Sequence, residues 1–392
     1  MNEKEKSVSL PTSEPRMSLY LHSRGSALGI PVSGTFELTA RCNFNCKMCY
    51  VHQNGPDLAE REFSAAEWLE IGKKARDMGM IFLLLTGGEP MLRPDFPEIY
   101  TGLVKLGLII SINTNASLYN EEIRQIFLRY PPSRINVTLY GGSEETYRNL
   151  CGNASFEKVV KNLRSMKEDG LQIRLNVSLT PYNVADMEKI DAISKEIGLQ
   201  AKTTSYMYPP VRLNGEAGVN AGRFTAEEAG RVMARWDAIR DPEEQFLMRA
   251  EQIRRNCRAV EPVECLDVNE TGEGVRCRAG KCTFWLTWEG KMMPCGTMPT
   301  DENAPDVRRE GFEAAWKWVR EYTAAIRLPA ECKNCPQKEN CPSCASICKC
   351  ETGRFDRVPR YLCEMTSSRT RNVLRIAEEM QNKKERDQEE KK

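Results

Sequence analysis

Three cysteines, Cys42, Cys46 and Cys49, stand in the stretch TARCNFNCKMCYVH (39–52) with the spacing C-x3-C-x2-C. Thiolate sulfur is a strong metal ligand, and short gaps of this kind let one loop offer three sulfurs to one centre. Three is one fewer than a closed zinc or iron–sulfur site takes, so the loop poses a question about its missing ligand. The chain has 16 cysteines but only two histidines, His22 and His52, which excludes in number an array of zinc fingers using two histidines each. The start MNEKEKSVSLPTSEP has no apolar signal core, and no run of 18 apolar residues follows. A soluble, cytoplasmic protein is expected, in which cysteines serve metals rather than disulfides. Lysine and arginine (56) balance aspartate and glutamate (55), so charge announces neither nucleic acid nor a membrane as partner.

The loop follows the apolar-rich run GTFELTA, the first of six strand candidates at residues 35–39, 81–86, 108–113, 135–140, 173–179 and 200–206. Helical patterns fill the gaps. Ser64 and Glu67 have capping-box spacing ahead of Trp68, Ile71, Ala75 and Met78, and Ser155 precedes Phe156, Val159, Val160, Leu163 and Met166, with Gly170 as a C-terminal stop. Six β–α repeats imply parallel strands with right-handed crossovers, hence an α/β fold: a partial (β/α)6 TIM-like barrel followed by a smaller cysteine-rich α+β domain. Ligand chemistry gathers at the carboxyl ends of such strands. The cysteine loop follows the first strand and TGGEP (86–90) the second, so both face one end of the barrel.

The cysteine loop followed by a strand ending in GGEP resembles the radical S-adenosylmethionine (SAM) superfamily over residues 35 to about 205. The resemblance implies that Cys42, Cys46 and Cys49 hold three irons of a catalytic [4Fe–4S] cluster whose fourth iron is chelated by SAM, which would be the missing ligand. It further implies that Gly87, Gly88 and Glu89 meet the methionyl amine, that Asn113, Thr114 and Asn115 of SINTNAS contact the ribose, and that Phe44 and Tyr50 shield the cluster, Tyr50 near the adenine. A bland turn accounts for Asn113 to Asn115 as well, and a core role for Phe44.

Twelve of the cysteines lie between Cys257 and Cys363. Their pattern resembles the SPASM type of auxiliary-cluster extension: Cys277, Gly290 and Cys295, then Cys332, Cys335 and Cys341 spaced C-x2-C-x5-C, then Cys363. The resemblance implies two auxiliary [4Fe–4S] clusters, one on Cys277, Cys282, Cys295 and Cys344, the other on Cys332, Cys335, Cys341 and Cys363. The usual next cysteine would fall at Ala345, so Cys344, Cys348 and Cys350 all remain open for one ligand. Cys151 in TYRNLCGN is either a plain reduced thiol or a hydrogen-atom donor near substrate. Phe312, Ala315, Trp316, Val319 and Tyr322 recur at helical spacing and predict a core-facing helix. The expected organisation is an N-terminal extension (1–34), the radical SAM core (35–205), a connector (206–256), the auxiliary domain (257–365) and a charged helical tail (366–392).

An enzyme of this family cleaves SAM reductively to a 5′-deoxyadenosyl radical that abstracts hydrogen from a substrate. The SPASM association points to a ribosomal peptide or small protein as substrate, crosslinked or oxidised, with a flavodoxin- or ferredoxin-like electron donor as a second partner. A radical SAM oxidoreductase acting on a small metabolite is the alternative; a non-catalytic iron–sulfur or zinc scaffold leaves GGEP unexplained. Only about 34 residues precede the first strand, few for a leader-binding domain, and SYMYPPVRLNG (205–215) is a possible groove. Anaerobic sulfatase-maturing enzymes share the plan but carry an S-L-D-G-like element where this chain has Thr138, Leu139, Tyr140 and Gly141, which weakens that assignment.

Overall fold

Parallel strands run in sequence order from the middle of one sheet to its edge, each returned by a helix. In a computed structural model, which describes residues 17–51, 53, 55, 57–212, 222–256 and 272–389, a first helix α1 (Met17–Leu28) precedes β1 (Ser33–Glu37). There follow α2 (Ala65–Asp77), β2 (Phe82–Thr86), α3 (Phe96–Lys105), β3 (Ile109–Thr114), α4 (Glu121–Arg129) and β4 (Arg134–Thr138). Then come α5 (Glu144–Cys151), α6 (Phe156–Glu168), β5 (Ile173–Ser178), α7 (Met187–Ile197) and β6 (Ala201–Thr204). All six strands pair in parallel in the order β1 to β6, the partial barrel that the β–α pattern predicts. Short apolar runs become strands because both faces are covered, by the barrel interior and by the helices outside. The predicted capping box forms: Ser64 accepts from the Glu67 backbone N–H while Glu67 accepts from that of Ser64. Ser155 precedes α6 as expected, but its hydroxyl makes no cap and donates to Asn153.

The chain then forms α8 (Ala226–Arg240), α9 (Glu243–Asn256), β7 (Thr283–Leu286), β8 (Met292–Met293), α10 (Phe312–Ala325), α11 (Ala345–Thr352) and α12 (Arg360–Glu389). Strand β7 pairs in parallel with β1, and β8 pairs antiparallel with β7. The cysteine-rich half therefore extends the barrel's own sheet to eight strands among the described residues. The predicted apolar stripe of α10 is core: Phe312, Ala315, Trp316 and Val319 are buried, and the Trp316 indole donates to the carbonyl of Gly29. Tyr322 is only partly buried and donates to Asp301.

The connector and the tail pack on each other. Helix α12 begins at Arg360, ahead of the expected boundary at 366, and buries Leu362, Met365, Val373 and Ala377. Gly230 of α8 lies so close to it that an added Cβ would meet the carbonyl oxygen of Met365 at 2.3 Å. Burial of each large apolar side chain here contributes about 1.5–3 kcal/mol, so the first half of the charged tail is a structural element and its last turns are the solvated end. Cys257, Cys265, His52 and the last three residues (213–215) of the candidate groove lie outside the described residues, whereas 205–212 of that groove are described.

Candidate active site

Every strand of the barrel delivers its carboxyl end to one cavity of about 540 Å3. The loop after β1 brings Cys42, Cys46 and Cys49 into its wall; β2 brings Gly87 and Gly88, and β3 brings Asn113, Thr114 and Asn115. The three cysteines and the second and third motifs are thus brought together as the sequence predicts.

The loop is laced from both sides. The N–H groups of Asn45 and Lys47 donate to the carbonyls of Cys151 and Leu150 at the end of α5 (2.8 and 3.0 Å). On the other side Gly88 N–H donates to Thr39 O and Glu89 N–H to Arg41 O, both at 2.9 Å. This contact needs glycine. A Cβ on Gly88 would sit 2.2 Å from Arg41 O, and Gly87 has a φ of +142° with Thr39 O 2.4 Å from where its Cβ would be.

Glu89 differs from its expected place. Its side chain is fully buried and absent from the cavity wall; it accepts from Met91 N, Asn115 N and Thr114 Oγ1 (3.1, 2.8 and 2.9 Å). The carboxylate ties the β2 loop to the end of β3, because three converging donors outcompete an outward rotamer. Burial raises its pKa to about 7, against the lowering effect of those hydrogen bonds. Asn115 serves the loop too, its amide donating to Asn43 Oδ1 at 2.9 Å and lying 3.8 Å from Cys42 Sγ. Asn113 accepts from Asn136 and donates to Thr86 (2.9 and 3.3 Å). Immediately after Asn115, Ala116 takes the left-handed φ of +61°, a departure rare for a residue with a Cβ.

Phe44 is both buried core and cavity wall, edge-on to Tyr140 and Tyr147 at 6.0 and 6.2 Å between ring centres. Tyr50 lines the cavity 5.8 Å from Tyr208, and its carbonyl accepts from Val211 N. The next residue, Arg212, forms a fully buried ion pair with Glu37 at the end of β1, which clamps the stretch after β6 onto the cysteine loop. Cys151 is buried behind the loop rather than in the cavity wall. Its thiol hydrogen-bonds to Cys46, and that contact, followed by burial, pushes the Cys46 thiol well up. Burial likewise lifts Cys42 to about 12.

The second half closes the cavity with Thr297, Pro342, Ile347, Met365 and Arg369, none of which the motifs indicate. Only the Tyr–Pro stretch after β6, which supplies Tyr206, Met207 and Tyr208, carried a signal. Helix α11 is anchored there: Glu351 accepts from Tyr206 Oη at 2.5 Å and pairs with Arg223 at 2.7 Å, while Arg223 stacks 3.5 Å over Tyr361 of α12.

The remaining cysteines fall into two neighbourhoods. Cys332, Cys335 and Cys341 lie within electrostatic reach of one another; Cys341 faces Thr366 of α12, one turn beyond Cys363, and the buried Cys348 approaches the same group. Cys344 lies toward Cys295 and Cys277. Cys282 does not join them. It is fully buried against α1, where its sulfur accepts from Ser26 Oγ at 3.1 Å. Among the described residues no three His, Cys, Asp or Glu side chains are already gathered around a point fit for a metal ion, so binding would have to draw the sulfurs together and release their protons. The donor set is all-thiol and partly buried, which suits iron–sulfur centres.

The fold and this site define a barrel enzyme built around a thiolate loop. Residues 36–192 match the radical SAM superfamily, so the barrel is a radical SAM domain and the protein an enzyme. Proteins of that superfamily use SAM and a [4Fe–4S] cluster. An AdoMet-dependent heme synthase of Methanosarcina barkeri is 24% identical over 335 residues, covering 82% of this chain and 93% of that protein. A probable GTP 3′,8-cyclase of Saccharolobus islandicus is 33% identical over 164 residues, 41% of this chain and 52% of the cyclase, so that match spans about half of the relative. Among solved structures, Streptococcus suis SuiB bound to precursor peptide SuiA superposes with a TM-score of 0.60 at 15% identity, covering 90% of this chain and 85% of SuiB. The structure of anSMEcpe with bound AdoMet and the Cp18Cys peptide gives 0.63 at 15% identity, covering 89% and 99%. At that identity the likeness is one of fold. No helix of the described residues is long and apolar enough to cross a membrane.

Proposed function

We propose that this radical SAM enzyme modifies a ribosomal peptide or small protein, with Cys42, Cys46 and Cys49 holding the catalytic cluster and the cysteine-rich half acting as a SPASM-type extension with two auxiliary [4Fe–4S] centres. The observation that carries the proposal is the shared cavity: the cysteine loop, the glycine pair and residues of the far half, Met365 and Arg369 among them, face one space. When bound, the cluster supplies the electron that cleaves SAM to methionine and a radical able to remove hydrogen from substrate. The chain's own residues fix the geometry. Gly87 and Gly88 leave backbone exposed for the methionyl group, Asn113 to Asn115 offer polar contacts for the ribose, and Tyr50 and Phe44 shield the loop from water. Cys332, Cys335, Cys341 and Cys363 would hold the second auxiliary centre; Cys277, Cys295 and Cys344 would hold three corners of the first.

The peptide substrate is supported by the fold shared with SuiB and anSMEcpe, both solved with peptides. The heme synthase relative, matched along most of both chains, favours a second reading, a small-molecule substrate. Anaerobically reconstituted enzyme with SAM, a flavodoxin- or ferredoxin-like reductant and the short peptides encoded beside its gene separates the two. A mass change in a peptide supports the first; turnover of a metabolite with every peptide unchanged overturns it.

A further inference from the structure

Helix α11 carries two cysteines two residues apart, Cys348 and Cys350, which point about 200° apart around the helix. Cys348 lies nearest in influence to Cys332, with Cys344 and Cys341 next. Cys350 faces the other way, toward the loop after β8. There the backbone oxygen of Thr297 accepts from Cys350 Sγ at 3.4 Å, and the hydroxyl of the same threonine lies 3.3 Å from Cys295 Sγ. Ser346, one turn earlier on α11, donates to both of those Thr297 oxygens, fixing the helix against the loop. A single residue thus bridges the sulfurs of Cys295 and Cys350, and Cys344, at the start of the same helix, lies toward both. Cys282 makes none of these contacts and faces Ser26.

We propose that Cys350, and not Cys282, supplies the fourth sulfur of the first auxiliary centre, completing the set Cys277, Cys295, Cys344 and Cys350. The inference rests on the auxiliary-cluster reading above. It departs from the spacing pattern, in which the partner of Cys277 comes from the turn before β7. The consequence is mechanical. With Cys344 and Cys350 at its two ends, α11 would be held by the first centre, and the same helix contributes Ile347 to the active-site cavity.

The test is iron analysis and electron paramagnetic resonance of reduced, anaerobically reconstituted full-length protein, comparing wild type with Cys350→Ala, Cys282→Ala and Cys295→Ala. The expected result is that Cys350→Ala and Cys295→Ala lose the iron of one cluster, about four atoms per chain, or share the same altered signal, while Cys282→Ala matches wild type. A wild-type spectrum for Cys350→Ala beside an altered Cys295→Ala overturns the proposal, as does any loss of iron or change of signal in Cys282→Ala. Should Cys350→Ala be insoluble, Cys350→His decides, since it keeps a metal donor: a shifted signal at full iron content supports the assignment and an unchanged one overturns it. If wild type itself binds only about four irons and Cys295→Ala matches it, the auxiliary-cluster reading fails, a result distinct from a wrong fourth ligand.

Discussion

The cysteine loop of the barrel and the cysteine-rich half solve the placement of thiols in opposite ways. Residues 42–49 form one short loop fixed by backbone hydrogen bonds to α5 on one side and to the β2 loop on the other. The second half spreads its thiols from Cys277 to Cys363 over turns and two helices, around a small core of Val275, Met293, Met298, Ile326 and a few neighbours. Protein packing fixes the backbone of the first, although its three sulfurs are not yet gathered around one point. In the second, Phe284, Leu286, Trp316 and Val319 are buried with the main core, while the thiols sit on turns and helix ends around it, where metal would fix their final positions.

Four measurements break or sharpen that contrast. The largest effect is expected of Cys49→Ala, which should abolish 5′-deoxyadenosine formation, followed by chromatography, while circular dichroism and the iron of the other centres persist. Next, Cys335→Ala should lose iron and solubility and stop product formation while SAM cleavage continues; full iron and full turnover would overturn the assignment of Cys335 as a cluster ligand. Third, Arg212→Met strands the buried Glu37 carboxylate at the root of the loop and should cost about 3–5 kcal/mol in denaturant unfolding. A loss below 1 kcal/mol would mean that the clamp is dispensable.

The smallest effect concerns Glu89. Its folded pKa of about 7 lies above that of an unfolded carboxylate, so its contribution to stability is complete at acid pH and is lost as pH rises through about 7. The unfolding midpoint of metal-free protein should therefore fall more steeply between about pH 5 and pH 8 in wild type than in Glu89→Gln. Equal slopes would show that Glu89 keeps its charge in the fold.

Much of the barrel was legible because period-2 and period-3.6 patterns are local: β3, expected at 108–113, runs from Ile109 to Thr114, and the Ser64–Glu67 box caps α2. The cysteine loop and GGEP were legible for the same reason, as contiguous motifs. What escaped depends on partners distant in sequence. Nothing in TFWL reveals that it will pair with β1, nor that Cys282 will meet Ser26 of α1, 256 residues away in sequence. Glu89 looked like a ligand-facing acid; the donors that turn it inward come from Thr114 and Asn115 on the next strand. Arg369 sits in a tail whose composition reads as solvent-facing, and Met365 at the very end of the expected auxiliary domain; both line the cavity, and Gly230 of α8 lies close to α12 beside them.

The pairing of β7 with β1 also constrains how the chain acquires its structure. Ser33 meets Thr283, a contact between residues about 250 positions apart, so during synthesis the edge of β1 stands open until nearly three quarters of the chain has been made. At elongation rates of about 5–20 residues per second that interval lasts on the order of ten seconds or more, with a strand edge beside Phe36 and Leu38 exposed to other nascent chains. Slow closure of so long a loop favours β1–β2 pairing first and β7 docking last. The sulfur ligands of the second half would then reach their final positions only as the sheet is completed.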